Sequence, residues 1–148
     1  RVGVFVNESP ARIREIAAIA ALDVAQLHGD ESPAGYPSGL AVWKAARVGE
    51  GFTFAPYEDA PVEALLLDGP AAELYGGAGI AFDWTLAART GKRIVVAGGL
   101  DASNVARAIE LAKPWGVDAC SRIESSPGIK DHRKMIDFLL AAKAALHA

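Results

Sequence analysis

The chain has 148 residues, 51% hydrophobic and 22% charged, with a formal net charge of −3 and one cysteine, Cys120. One domain spanning 1–148 is the simplest organisation, long enough for a core that buries about two thirds of the unfolded surface. No basic excess marks a nucleic-acid partner, Asp23 breaks the longest candidate for a membrane span, and a lone cysteine excludes an intrachain disulfide. A cytoplasmic protein with neither nucleic acid nor membrane as partner is expected.

Val2–Val6 reads as a buried strand ended by Asn7. Ser9-Pro10 then supplies a capping residue and a proline at the first helical position, where the missing N–H costs nothing. Ile13, Ile16, Ala17 and Ala20 form the apolar stripe of a helix ending near Ala21. A second strand, Asp23–Leu27, delivers Gln26, His28 and Gly29 at its carboxyl end. Pro33, Gly35, Pro37 and Gly39 allow one short turn of helix at most before a third strand, Val42–Val48, which carries Trp43 and Lys44. The segment 49–61 is again too broken for a long helix, with room for a turn at Tyr57–Ala60.

Ala64–Leu67 is a fourth strand closing on Asp68-Gly69. Tyr75–Gly79 is a flexible loop, not a Walker loop because the Lys-Ser/Thr pair is absent, and fits a mobile cover over a substrate. Asp83 caps a helix starting at Trp84. Arg93–Ala97, apolar without alternation, is a fifth strand covered on both faces. Gly98 and Gly99 follow, where missing Cβ atoms let backbone N–H groups approach an anion; a plain tight turn explains them equally well from sequence alone. Asp101 or Ser103 caps the next helix, whose apolar positions are Val105, Ala108, Ile109 and Ala112. Val117–Cys120 is a sixth strand leading to Ser121 and Arg122; Pro127-Gly128 makes a turn, and Asp131 starts a terminal helix that buries Met135, Phe138, Leu139 and Ala142.

Six alternations of strand and helix imply parallel strands joined by right-handed crossovers. Polar residues gather at strand carboxyl ends: Asn7, Gln26, His28, Asp68, the two glycines, Ser121 and Arg122. In a closed parallel barrel these ends share the face on which such folds do their chemistry. Asp68, at the end of LLLD, is the first candidate for an acid, since partial burial favours a carboxyl that holds a proton to give; its bland alternative is a turn residue. His28 either binds an anionic group or sits hydrogen-bonded in the mouth, and Gln26, inward by periodicity, is a contact or a buried, satisfied amide. The histidines lie far apart without partners at ligand spacing, so no metal site is expected.

Beyond these local patterns, VGVFVN at 2–7, QLHGDE at 26–31, LLLDG at 65–69, GGAGIAFDW at 76–84, AGGLDASNV at 97–105 and VDACSRIESSPGIKDH at 117–132 run in one order along the chain. In these the sequence resembles phosphoribosylanthranilate isomerase of tryptophan biosynthesis. The resemblance implies an α/β chain carrying six of the eight βα units of a parallel (β/α) TIM barrel, starting at the family's third strand. Missing are the KICG-like strand whose cysteine is the general base and a second-strand arginine that helps hold the substrate carboxylate. It also implies a cofactor-free Amadori isomerisation of N-(5-phosphoribosyl)anthranilate, a small phosphosugar substrate. Asp68 matches the acid that protonates the furanose ring oxygen, and His28, with Gln26 beside it, lies near the substrate. Asp118 matches an inward aspartate near the ribose chain, with a buried ion pair as its competing explanation. Gly98, Gly99, Ser121 and Arg122 fall where the phosphate is held.

Arg122 stands where many members carry glycine; its side chain either adds a charge to the phosphate grip or points outward, the second slightly preferred. Cys120 stands where serine is usual and reads as a small core or phosphate-loop residue, not a replacement base. Without its base strand the chain alone is expected to be nearly inactive, and its open sheet edges favour self-association or a complementing N-terminal segment. The alternative from another class is a catalytically dead, phosphate-binding fragment or assembly module; another phosphosugar barrel is a third possibility, opposed by the ordered motif set.

Overall fold

The computed structural model describes residues 1–69 and 82–146. Six strands, β1 (Val2–Phe5), β2 (Val24–Leu27), β3 (Ala41–Arg47), β4 (Ala64–Asp68), β5 (Arg93–Ala97) and β6 (Gly116–Val117), form one sheet in the order β1-β2-β3-β4-β5-β6. Every neighbouring pair is parallel. Spatial order that follows chain order, with no reversal, is the wall of a (β/α) barrel; a doubly wound sheet would switch direction.

The wall curls. Trp43 on β3 meets Trp115, just before β6, edge to face with ring centroids 5.6 Å apart, although three strand spacings in a flat sheet would separate them by about 14 Å. Arg93, the first residue of β5, lies over the Trp115 ring and pairs with Glu63, which also accepts from the Trp43 indole N–H. These four residues close the amino end of the curl. Above them the inner face carries Ala45, Ala64, Leu66, Val95 and Ala97.

The outer face explains why the strands read as unbroken apolar runs. Leu65 and Leu67 of β4 and Ile94 and Val96 of β5 pack outward in one core with Val105, Ala108, Ile109 and Ala112 of α2 (Val105–Ala112) and Phe138 and Ala142 of α3 (His132–Leu146). Around β1 and β2 a separate outer cluster joins Phe5, Ala25, Leu27 and Val42 to Ile13 of α1 (Pro10–Ala20). Ser9 caps α1, its hydroxyl accepting from the Arg12 amide at 3.3 Å, and Pro10 fills the first position as predicted.

Where the chain is rich in proline and glycine the outer layer is thin. Single 3-10 turns at Pro33–Gly35 and Ala55–Tyr57 replace helices; the second runs directly into the predicted Tyr57–Ala60 turn, where the Ala60 amide donates to Tyr57 O at 3.2 Å. The predicted helix at Trp84 is a 3-10 helix, Trp84–Arg89, capped by the Asp83 carboxylate on the Thr85 amide. The 75–79 loop lies outside the described residues.

Three expectations need correction. β1 is a sheet edge with Val2 and Val4 exposed, because it pairs with β2 alone and nothing among the described residues covers its inner side. β6 holds two ladder residues where four were predicted, although the Asp118 amide still donates to Val96 O at 2.9 Å. Leu139 of α3 is 52% exposed rather than buried: Met135, Phe138 and Ala142 already fill the side facing α2, and Leu139 lies about 100° round the helix from Phe138. The turn predicted at Pro127-Gly128 is present, and it joins two short antiparallel strands, β7 (Glu124–Ser126) and β8 (Ile129–Lys130), too short and polar to show a pattern in the sequence. Among the described residues no helix is long and apolar enough to cross a membrane.

Candidate active site

Parallel strands put all their carboxyl ends on one rim, and side-chain alternation selects which residues face inward there. On β4, Leu66 faces inward, and so therefore does Asp68 at the strand's end. Gln26 and His28 face the same space from β2, so that His28 reaches Asp68 across the intervening strand, Nε2 to Oδ2 at 3.0 Å. Gln26 is buried, and its side-chain nitrogen lies 3.1 Å from His28 Nδ1. An amide nitrogen only donates, so Nδ1 accepts and Nε2 carries the proton offered to Asp68. Gln26 is thus a buried amide whose nitrogen pairs with the site histidine.

The register pairs Asp68 with Ala97, which brings the Gly98–Gly99 turn beside the carboxylate. Gly98 has φ +82°, and a Cβ there would stand 2.5 Å from Gly69 N, 2.7 Å from Gly69 O and 3.0 Å from Asp68 Oδ1. The absence of a side chain at 98 is what lets the acid and the turn share the rim. Gly99, at φ +68°, faces the Arg122 guanidinium.

Arg122 is exposed, and its guanidinium is engaged by protein. It folds back past Gly99 because Asp101 pulls it there, Nη1 to Oδ2 at 3.1 Å. Partial burial opposes ionisation of Asp101, yet the Ser103 hydroxyl and amide and the Arg122 charge outweigh it and hold the carboxyl below its ordinary value. Asp101 therefore braces the turn that leads into α2, its carboxylate accepting the Ser103 amide and its carbonyl the Val105 amide. The N-cap position belongs to Asn104, whose side chain instead accepts from the Asp101 amide and donates to Gly99 O, both at 2.9 Å. Ser121 opens the single 3-10 turn Ser121–Ile123, next to the glycine turn. Cys120 is exposed, with Lys130 Nζ 3.5 Å from its sulfur, so it is a loop residue and not part of the core.

Asp118 follows β6 at the same rim. Protein atoms packed round its carboxyl, and after them the negative charge of Asp68, raise its pKa above the ordinary 3.8 against the pull of His28 and Lys130. Among the described residues no cation forms an ion pair with it, so the ion-pair explanation fails. The rim thus holds two carboxyls and one imidazole, all within electrostatic reach. No group of three His, Cys, Asp or Glu among the described residues could hold a metal ion.

Sequence reasoning missed Lys44 and Glu31. Lys44 is buried, and its ammonium sits 3.0 Å from the Glu31 carboxylate behind the loop that carries His28. The available signal was a lysine inside the otherwise apolar AVWKAA. A cleft of about 430 Å³ opens beside this loop, lined by His28, Tyr36, Lys44, Arg47 and Tyr57. A larger apolar hollow of about 630 Å³ between α2 and the end of α3 belongs to the outer layer, away from the rim.

A barrel wall in chain order, with its polar side chains gathered at the carboxyl rim, defines a (β/α)-barrel enzyme. The family described as N-(5'phosphoribosyl)anthranilate (PRA) isomerase matches residues 1–141. N-(5'-phosphoribosyl)anthranilate isomerase of Solibacter usitatus is 76% identical over 148 residues, covering 100% of this chain and 74% of that protein. Phosphoribosyl anthranilate isomerase of Thermotoga maritima superposes with a TM-score of 0.81 at 34% identity, over 97% of this chain and 73% of that one. A phosphoribosyl anthranilate isomerase in complex with reduced 1-(o-carboxyphenylamino)-1-deoxyribulose 5-phosphate superposes with a TM-score of 0.78 at 32% identity, over 97% of this chain and 71% of that one. The chain belongs to the N-(5'-phosphoribosyl)anthranilate isomerase family.

Proposed function

We propose that these 148 residues form one partial-barrel domain carrying the acid and phosphate side of an N-(5'-phosphoribosyl)anthranilate isomerase active site. The enzyme is an aldose–ketose isomerase of tryptophan biosynthesis, and we assign it to the cytoplasm with that chemistry. The observation that carries the reading is the His28–Asp68 contact at 3.0 Å on the rim that Gly98 keeps clear.

Asp68 Oδ2 accepts from His28, which leaves Oδ1 to carry a proton. That proton passes to the furanose ring oxygen as the C1–O bond breaks, and the electron pair on the anilino nitrogen forms C1=N. A base then removes the C2 proton to give the enol-amine, which tautomerises to the ketone. Gln26 fixes the tautomer of His28, and Asp118 faces the ribose chain. The amides of Gly98, Gly99 and Ser121, with the Arg122 guanidinium, receive the phosphate. The resemblance gives the base to a strand outside these residues. We therefore propose that the isolated chain turns over poorly, and that its edges pair with a segment supplying two βα units or with a second copy.

The test mixes the chain with such a segment and follows conversion of N-(5'-phosphoribosyl)anthranilate. Turnover is expected on mixing, with Asp68→Asn reducing it by about 100-fold or more. Restored turnover that survives Asp68→Asn would remove the acid assignment; phosphate binding without turnover would favour a binding module.

A further inference from the structure

The Lys44–Glu31 pair has no part in the chemistry above, yet it is the most deeply buried pair of opposite charges among the described residues, with side chains 6% and 5% exposed. An ammonium has three protons to donate, and at Lys44 each finds an oxygen: Leu27 O at 3.4 Å, Gly29 O at 2.6 Å and Glu31 Oε2 at 3.0 Å. Leu27 and Gly29 are the residues on either side of His28. Glu31 holds the same loop from the opposite charge, accepting the Gly29 amide at 3.0 Å and the Asn7 amide at 2.7 Å. Asn7 in turn accepts the Asp30 amide at 2.7 Å, and a Cβ at Gly29 would run into the Asn7 side chain. The His28 amide itself donates to Phe5 O at 2.8 Å.

A buried ion pair is a poor stabiliser, because well-packed apolar residues of the same volume serve stability as well or better. What charges supply here is direction: one ammonium fixes two carbonyls that bracket a single side chain. We infer that the Lys44–Glu31 pair is the positioning device for His28, fixing the backbone on both sides of the imidazole and so keeping its Nε2 on the Asp68 carboxylate. In turnover this inference rests on the isomerase reading; in geometry it does not.

The experiment uses the ¹⁵N-labelled 148-residue chain and compares His28 with His132, which is exposed at the start of α3 and forms no hydrogen bond with Lys44 or Glu31. In the parent, measured where the imidazoles are neutral, His28 is expected to show a single pattern with Nε2 protonated and Nδ1 bare. The double variant Lys44→Met with Glu31→Leu removes both charges and strands neither. Because the Gly29 and Asn7 amides and the Leu27 and Gly29 carbonyls lose these partners, it is expected to melt below the parent, to show His28 as a mixture of tautomers and to leave the His132 signals unmoved. If it fails to fold, Glu31→Gln, which keeps a side-chain acceptor for the amides, is expected to shift the His28 nitrogens alone. A folded variant with His28 signals like the parent's would overturn the inference. In the complemented enzyme the double variant is expected to lower kcat about 10-fold with KM within 3-fold. Should the complemented parent show no turnover, the isomerase reading fails while the tautomer measurement still decides this one.

Discussion

Gly98 and Gly99 are neighbours with similar backbone angles, φ +82° and +68°, but very different surroundings. An alanine at 99 meets only the Arg122 side chain at 3.6 Å, whereas one at 98 meets the Gly69 backbone at 2.5 Å. Gly99→Ala is therefore expected to cost about 1 kcal/mol, the left-handed penalty for an L-residue. Gly98→Ala adds a displacement of the Asp68-Gly69 strand end, for about 2–4 kcal/mol in all by urea unfolding. Equal costs would contradict the packing described. A second expectation concerns charge. The pKa of Asp118 is raised in the folded chain by burial and by Asp68, so its contribution to stability is full below the ordinary 3.8 and is lost as pH rises through the folded value. Asp118→Asn is then expected to be the more stable protein at pH 7, with the difference vanishing in acid; a constant offset at all pH values would refute it. Asp68, His28 and the glycines were legible in the sequence because each ends an apolar strand. Lys44 and Glu31 were not, because their meeting depends on the register that sets Leu27 beside Lys44. The direction of Arg122 was equally hidden, being set by Asp101, 21 residues away.

Elements obeyed their end signals better than their lengths. Arg93–Ala97 and the Ser9-Pro10 start of α1 coincide with the sequence reading, since both rest on local chemistry: β-branched residues in one, a cap and a proline in the other. Replacing Ser9 by alanine removes the acceptor for the Arg12 amide and is expected to cost about 1 kcal/mol in thermal or urea unfolding. Fast amide exchange at Arg12 would locate the loss, and an unchanged unfolding curve would show the cap to be idle. β6 and the face of α3 were misread for a different reason. Their extent depends on what lies alongside, and a sheet edge or a helix side without a covering layer leaves no mark in the sequence of the element itself.

At the scale of the molecule, chain-order pairing of six strands was legible from alternation, but the curl was not, because twist accumulates across strands. The curl leaves two apolar borders. Val4 and Val6 are exposed at one, and Ile136, Leu139 and Leu140 on α3 at the other. Such borders together with unpaired strand edges promote association. Sedimentation of the chain is expected to show concentration-dependent oligomers that a segment supplying two βα units converts to a single complex. A strictly monomeric chain at high concentration would contradict this.

The aromatic contact that closes the amino end has an optical meaning. Of the three tryptophans, Trp84 is buried in the outer layer, while Trp43 and Trp115 touch only because strands far apart along the sheet have come round to each other. Flattening would part these two indoles long before any strand unzipped. Their mutual coupling in the near ultraviolet is thus a built-in gauge of how tightly the wall is rolled, readable without a label.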